Sequence, residues 1–254
     1  MTAPEISIVV PAYNEEGRLE DSIDQIFRFF QLRNAPFEIL VVDDGSTDAT
    51  CRIALAAGER LGKNAVHTLR NSGNRGKGHS VRKGMLAARG RYSLITDADL
   101  STPLEELARL EEAVMGGPVR LAFGSRDVIG SRVEVRQSWF RENAGKAFNR
   151  MVRLLTGLPY RDTQCGFKLF EMESCRAIFE RQRIDRFAFD VEILYIARKW
   201  GIRMAEVPVV WRHREGSKVR MFPDAFWTFL DLFRIRWNDF RGRYEPPPAL
   251  RISK

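Results

Sequence analysis

The chain has 254 residues, 44% of them hydrophobic, which supports one large domain or two small ones and excludes a disordered or low-complexity polymer. The formal net charge of +8 is uneven, at −2 over residues 1–125 and +10 over residues 126–254, so the second half is expected to meet an anion: nucleic acid, anionic lipid or a phosphorylated substrate. Three cysteines without C-x-x-C spacing and three histidines without ligand spacing argue against a disulfide framework or a zinc site and fit a reducing, cytoplasmic setting.

The chain enters an apolar run, Ile6 to Pro11, after a few residues with no basic segment before it, so no signal peptide is expected. This run reads as a buried strand. Tyr13, Asn14 and Glu15 turn it into a helix whose apolar positions Leu19, Ile23, Ile26, Phe27 and Phe30 recur at helical spacing. Phe37 to Val42 reads as a second strand, ending in Asp43-Asp44-Gly45-Ser46 and a helix through Leu61. Adjacent acids at the end of a buried strand cost desolvation unless a ribose, a base N–H or a metal shell pairs with them; a turn with a helix cap is the plainer alternative. Asn64 to Leu69 is a weaker third strand.

The loop Asn71 to Gly78 is Gly-rich and basic. It lacks Gly-Lys-Ser/Thr and G-x-G-x-x-G, so it reads either as a flexible flap over phosphates or as a mobile surface loop, followed by a helix over 80–88. Arg91 to Thr96 is a fourth strand. It closes in Asp97-Ala98-Asp99, followed by Thr102 as an N-cap, Pro103 at the first helical position, and Glu105 and Glu106 in the first turn. Two hard oxygen ligands at the carboxyl end of a strand suit Mg2+ or Mn2+ completed by phosphate oxygens, although Asp-x-Asp by itself is commonly a solvated turn.

In the second half, Val119 to Gly124 predicts a fifth strand, leading to Arg126. Helices are expected over 138–158, 174–179 and 187–200, and a strand over 204–211. Arg212 to Arg220 is a basic loop holding Arg214 and Lys218. Met221 to Phe240 carries many aromatics among Asp224, Asp231, Arg234 and Arg236: too many charges to cross lipid, but suited to a helix lying in a membrane interface, or else packing on its own core or a dimer seam. Strands alternating with helices predict an α/β fold with a largely parallel, covered sheet.

Taken together, Pro11-Ala12-Tyr13-Asn14-Glu15, Val42-Asp43-Asp44-Gly45-Ser46, Gly76-Lys77-Gly78 and Asp97-Ala98-Asp99 resemble family 2 glycosyltransferases over roughly residues 5–220. Gly124-Ser125-Arg126, Asp162-Thr163-Gln164-Cys165-Gly166-Phe167-Lys168 and Phe189-Asp190-Val191-Glu192 resemble the branch that glycosylates polyprenyl phosphates; Ser101 stands where mannose-transferring members usually carry Gln. The resemblance implies a GT-A, Rossmann-like, mostly parallel sheet flanked by helices, with C-terminal amphipathic helices. Residues 1–220 would be catalytic (nucleotide-sugar half 1–125, acceptor half 126–220), 221–243 an interfacial helix and 244–254 a tail.

The same resemblance implies a nucleotide-diphosphate sugar as donor, UDP-glucose favoured, and Mg2+ or Mn2+ as cofactor. Pro11, Ala12, Tyr13, Glu15, Asp43, Asp44, Lys77 and Asp97 would hold the donor. Asp97 and Asp99 would manage metal and diphosphate, with Asp99 the more direct ligand. Arg126, Lys168, Arg214 and Lys218 are expected to meet the acceptor phosphate, and Asp190 to orient the sugar or act as base, with Glu192 structural. Asp99, Asp190 and Arg126 form the expected catalytic set. A membrane surface on the cytoplasmic side is the expected partner. GDP-mannose as donor, or a saccharide hydroxyl as acceptor, is the alternative; a nucleic-acid-binding module has only the basic charge in its favour.

Overall fold

The structure, a computed structural model, describes residues 3–135, 149–212 and 221–248. The expected strands form, each ending within two residues of its predicted limits: β1 (Ile6–Ala12), β2 (Phe37–Asp43), β3 (Val66–Arg70), β4 (Tyr92–Ile95) and β5 (Leu121–Ser125). Between them run α1 (Leu19–Leu32), α2 (Thr50–Leu61), α3 (Lys77–Ala87) and α4 (Leu107–Met115). Beyond β5 come β6 (Arg132–Val135), a helical stretch α5 (residues 149–156), β7 (Lys168–Glu171), α6 (Met172–Arg181), α7 (Phe189–Lys199), β8 (Met204–Pro208), β9 (Val210–Arg212) and α8 (Met221–Phe240).

Seven strands make one sheet in the order β3-β2-β1-β4-β7-β5-β8, and β6 pairs with β9 in a separate parallel ribbon. Strand β7 is antiparallel to both β4 and β5; the other strands of the large sheet run parallel to their neighbours. The carboxyl ends of β1, β2, β4 and β5 therefore share an edge with the amino end of β7. Side chains on a strand alternate between faces, and the core divides accordingly. Ile8, Val10, Ile39 and Val41 pack with Ile23 and Ile26 of α1 and with Leu107 and Leu110 of α4. Val9, Leu40, Val42 and Ile95 pack with Val81 and Met85 of α3 and with the apolar residues of α6 and α7. The sheet is thus covered on both faces.

Four local expectations are corrected. Thr102 does not cap a helix: Pro103 precedes a 3-10 turn (Leu104–Glu106) without a side-chain cap, and the Thr102 hydroxyl lies buried 3.9 Å from the Cys165 sulfur. Helix α3 begins at Lys77 rather than at residue 80, so Gly76-Lys77-Gly78 leads into a helix instead of forming a free flap. The expected strand over 204–211 is two strands, parted at Val209, which is fully buried. Tyr244, expected to open an extended tail, is instead packed into the core and fully buried. Of the helix expected over 138–158, residues 149–156 are helical, while 136–148 lie outside the described residues.

Candidate active site

The first two strand ends are clipped together. Asn14, at φ 54°, accepts from the Thr47 amide at 2.9 Å, and its own amide donates to the Ser46 hydroxyl at 3.0 Å. The Glu15 amide donates to Thr50 Oγ1, and the Glu15 carboxylate pairs with Arg18 at 2.8 Å. Pro11 and Ala12 sit in the ladder opposite Val42 and Asp43, with Tyr13 just beyond, half-buried. Asp43 is fully buried at the end of β2. Its Oδ1 accepts from the Ser46 amide at 3.0 Å; its Oδ2 lies 3.2 Å from Arg70 Nε, yet among the described residues no aligned hydrogen bond reaches that oxygen. A buried acceptor with charge compensation and unused hydrogen-bonding capacity suits a base N–H or a ribose hydroxyl.

Asp44 behaves differently from its neighbour. Its Oδ1 accepts from Asn71 Nδ2 at 2.7 Å and from the Arg75 amide at 2.9 Å, and its Oδ2 accepts from the Gly76 amide at 2.8 Å. All three donors belong to the Gly-rich loop. Asp44, expected among the donor-binding residues, is instead the strut that holds this loop against β2. Gly45, at φ +70°, completes the seat, since a Cβ there would come within 2.5 Å of the Gly73 backbone.

Beyond β4, Ala98 and Leu100 point into the core, whereas Asp97 and Asp99 are only partly buried. The alternation that turns one set inward turns both carboxylates out on one edge. Asp99 Oδ1 accepts from the Ser101 amide at 2.9 Å, and Asp99 borders a groove of about 570 Å3 beside Asn14 and Glu15. Asp97 Oδ1 meets Lys77 Nζ at 2.5 Å. Burial disfavours charge on both partners, but Asp97, Asp190 and Asp99 hold Lys77 well above the ordinary lysine value. In turn Lys77, Lys168 and Arg126 keep the Asp97 carboxyl below the usual range. Gly166 is required here, because a Cβ would collide with the Asp97 carboxylate.

Lys168 opens β7 and is fully buried, with Nζ bonded to Asp190 Oδ1 and the Cys165 carbonyl, each at 2.5 Å. Its place between β4 and β5 explains the burial: Lys168 pairs with Ile95 on one side and Phe123 on the other. Lys168 was expected to face an acceptor phosphate; instead it is a fixed internal cation. Asp190, expected to orient the sugar or act as base, is 4% exposed on α7 and tied to that lysine. Burial pushes the Asp190 carboxyl up, against the opposing pull of Lys168 and Lys77. Two carboxylates, Asp190 and Asp97, and two lysines, Lys168 and Lys77, thus gather under the β4 edge.

Arg126 follows β5 and forms a forked pair with Asp162: Nε donates to Oδ2 at 2.6 Å and a terminal nitrogen to Oδ1 at 2.8 Å, while the Arg126 amide adds a third bond at 3.0 Å. The guanidinium also lies 5.5 Å over the Trp211 ring. Arg126 retains 31% side-chain exposure, so one edge is open to a ligand while the fork fixes its direction. Asp162, Gly166 and Trp211 were given no role by sequence reasoning. The Asp162–Lys168 motif had drawn attention, but which of its residues touch Arg126 and Asp97 depends on folding β7 back between β4 and β5. Glu192 meets its expected structural role, with Oε2 accepting from the Arg183 and Ile184 amides at 3.0 and 2.8 Å and Oε1 from the Tyr244 hydroxyl at 2.5 Å. Arg214 and Lys218 lie outside the described residues.

The donor set fits a divalent cation of the Mg2+ or Mn2+ type. It offers two carboxylates, no nitrogen or sulfur, and partial exposure that leaves coordination positions for phosphate oxygens. Among the described residues no group of three His, Cys, Asp or Glu side chains forms a closed protein cage.

The family model for glycosyl transferase family 2 matches residues 7–179. The dolichyl-phosphate beta-glucosyltransferase of Drosophila melanogaster is 40% identical over 245 residues, covering 91% of this chain and 74% of that protein. Its Homo sapiens counterpart is 36% identical over 254 residues, covering 94% and 77%. Among solved structures, glucosyl-3-phosphoglycerate synthase from Mycobacterium tuberculosis, in complex with Mn2+, UDP-glucose and phosphoglyceric acid, superposes with a TM-score of 0.63 at 18% identity, covering 97% of this chain and 81% of that one. Mannosyl-3-phosphoglycerate synthase from Rubrobacter xylanophilus gives 0.65 at 18%, covering 97% and 78%. The extent of the family match and the identity to these relatives place the protein in glycosyltransferase family 2.

Proposed function

We propose that the protein transfers glucose from UDP-glucose to a polyprenyl phosphate of the dolichol type, inverting the anomeric carbon, at the cytoplasmic face of a membrane. The observation that carries this reading is the convergence of Asp43, Asp97 and Asp99 on one sheet edge. One is a buried carboxylate with unused accepting capacity, and two are partly exposed carboxylates on alternate residues. Asp43, with Pro11, Ala12, Tyr13 and Glu15 beside it, receives base and ribose. Asp97 and Asp99 would hold Mg2+ or Mn2+, which supplies Lewis-acid neutralisation of the donor diphosphate. The relatives named dolichyl-phosphate beta-glucosyltransferase support the sugar and the lipid, and the neighbour crystallised with Mn2+ and UDP-glucose supports the metal and the base.

A phosphate monoester is largely dianionic at neutral pH, its second pKa being about 6, so it attacks without surrendering a proton. One of its oxygens bonds to the anomeric carbon from the face opposite the leaving group. The bond from that carbon to the diphosphate breaks, and UDP leaves with the electron pair. The barrier is electrostatic, since two anions must meet. Arg126, aimed by Asp162, meets the acceptor phosphate; Lys77, beside Asp97, is in reach of the donor phosphates. Transfer to a saccharide hydroxyl would need a carboxylate to take a proton. Asp190, the former candidate, is buried and committed to Lys168, which favours the phosphate acceptor.

Helix α8 supplies the membrane contact in this reading. Leu232 and Ile235 face the core, while Phe226, Phe233, Trp237 and Phe240 recur at helical spacing on the exposed side, with Arg241 4.8 Å over the Trp237 ring. Among the described residues no helix is long and apolar enough to cross a membrane.

The deciding experiment offers purified protein, Mn2+ or Mg2+, labelled UDP-glucose or GDP-mannose, and a short polyprenyl phosphate. Organic-extractable label from UDP-glucose is the expected result. Label appearing only from GDP-mannose, or only in a water-soluble saccharide, overturns it.

A further inference from the structure

The segment 182–186 touches the site on one side and the C-terminal part of the chain on the other. On the site side it seats the start of α3. The His79 amide donates to the Asp185 carbonyl at 3.0 Å, and Gln182 Nε2 bridges the Gly78 and Ile184 carbonyls at 2.8 and 3.1 Å. Arg82 adds a bond to the Gln182 carbonyl at 3.1 Å. A Cβ at Gly76 would collide with the Asp185 carbonyl, and one at Gly78 would come within 2.5 Å of the Ile184 carbonyl. Lys77, between these glycines, is aimed at Asp97 by that backbone contact.

On the other side, the Glu192 carboxylate gathers the Arg183 and Ile184 amides together with the Tyr244 hydroxyl. Tyr244 is itself pinned: its carbonyl accepts from Trp200 Nε1 at 2.8 Å and its hydroxyl from Asn238 Nδ2 of α8 at 3.1 Å. Arg186 reaches the same helix, 4.9 Å over the Trp227 ring.

We infer that Tyr244 and Glu192 are positioning residues for Lys77, so that the C-terminal segment packed with α8 sets donor affinity through the 182–186 backbone. The link to donor rests on the glucosyl-transfer reading; the mechanical link does not. Glu192 bonds to the 182–186 backbone and to Tyr244, and Lys77 to Asp97, so the relay does not require Tyr244 or Glu192 to touch the substrate. A buried carboxyl group that receives three donors fixes those donors in one arrangement, because leaving any of them unpaired in the interior is costly. Since α8 also carries the exposed aromatic stripe, a shift of that helix would be felt at Lys77.

The test uses the 254-residue chain with Tyr244→Phe and Glu192→Gln, each checked for a cooperative melt. Lys77 is acylated with a limiting activated ester and read by peptide mass spectrometry, with exposed Lys63 as internal standard. Release of Lys77 from Asp97 is expected to raise its relative labelling about fivefold in both variants. The donor KM should rise by a similar factor while the acceptor KM stays constant, and Tyr244→Phe should add nothing to the donor KM in a Lys77→Ala background. Unchanged Lys77 labelling in either folded variant overturns the relay. Raised labelling with a multiplicative KM effect in the Lys77→Ala background overturns the route to the donor. Raised labelling without any nucleotide-sugar turnover, wild type included, keeps the relay and removes the glucosyl-transfer reading instead.

Discussion

Replacing Asp44 by Asn separates a strut from a ligand contact. In the native chain both carboxylate oxygens are occupied, accepting from Asn71 Nδ2, the Arg75 amide and the Gly76 amide. Asparagine keeps the volume but turns one oxygen into a donor. In the milder orientation the new amide replaces Oδ2 and faces the Gly76 N–H, so one charge-assisted bond becomes a meeting of two donors. The other two bonds lose their charge. A bond to a charged group contributes about 1.5–3 kcal/mol, and a stranded buried donor costs about 1–3 kcal/mol. Because these effects are not additive, a loss of roughly 3 kcal/mol is expected, which for a chain of this size lowers Tm by about 6–12 °C. The assay is a thermal melt with a urea titration alongside, followed by donor KM below the new midpoint. A melt within about 1 °C of the native protein, combined with a collapse of donor affinity, would refute the strut and return Asp44 to the donor site.

Asp99→Asn should keep the fold, since the amide oxygen can still accept from the Ser101 amide, but lose metal-dependent turnover by about 100-fold or more; a metal titration of kcat measures it. Lys168→Met strands the Asp190 carboxylate in a buried site and should cost about 3–5 kcal/mol, part of which Lys168→Met with Asp190→Leu recovers in a double-mutant cycle of urea midpoints. Glu192 gives a pH dependence with a defined sign. Burial raises its pKa from 4.5 to about 7, against the bonds from Tyr244, Ile184 and Arg183, so the folded chain holds a proton that the unfolded chain has lost across that window. Its contribution is therefore full below about pH 4.5 and is lost as pH rises through about 7, a change of roughly 3 kcal/mol; Glu192→Gln should lack this slope in unfolding free energy measured from pH 5 to 8.

Residues 1–125 were legible because each element states itself locally. Ile6-Ser7-Ile8-Val9-Val10 and Phe37-Glu38-Ile39-Leu40-Val41-Val42 are buried strands bounded by polar turns, and the acids that end them mark the sheet edge. Three features were hidden for physical reasons. Strand β7 carries Lys168 at its start and Glu171 at its end, and nothing local reveals that Asp190 waits to pair with that lysine. The start of α3 reads as a loop because two glycines disfavour helix, yet both are needed where the backbone meets residues 184–186. Asp43 and Asp44 look equivalent in sequence; only the folded loop separates the acceptor with spare capacity from the one already spent.

The placement of β7 has a consequence for the integrity of the chain. Among the described residues, strand β5 bonds to β7 and β8 alone, both encoded after residue 126, whereas β4 finds its second neighbour in β7. A cut after residue 126 would leave β5 with no mate in its own fragment and β4 with a bare flank. The two halves are therefore interleaved like the fingers of clasped hands. Neither segment closes its own part of the sheet, so changes after residue 126 act on strands that β4 and β5 need as neighbours.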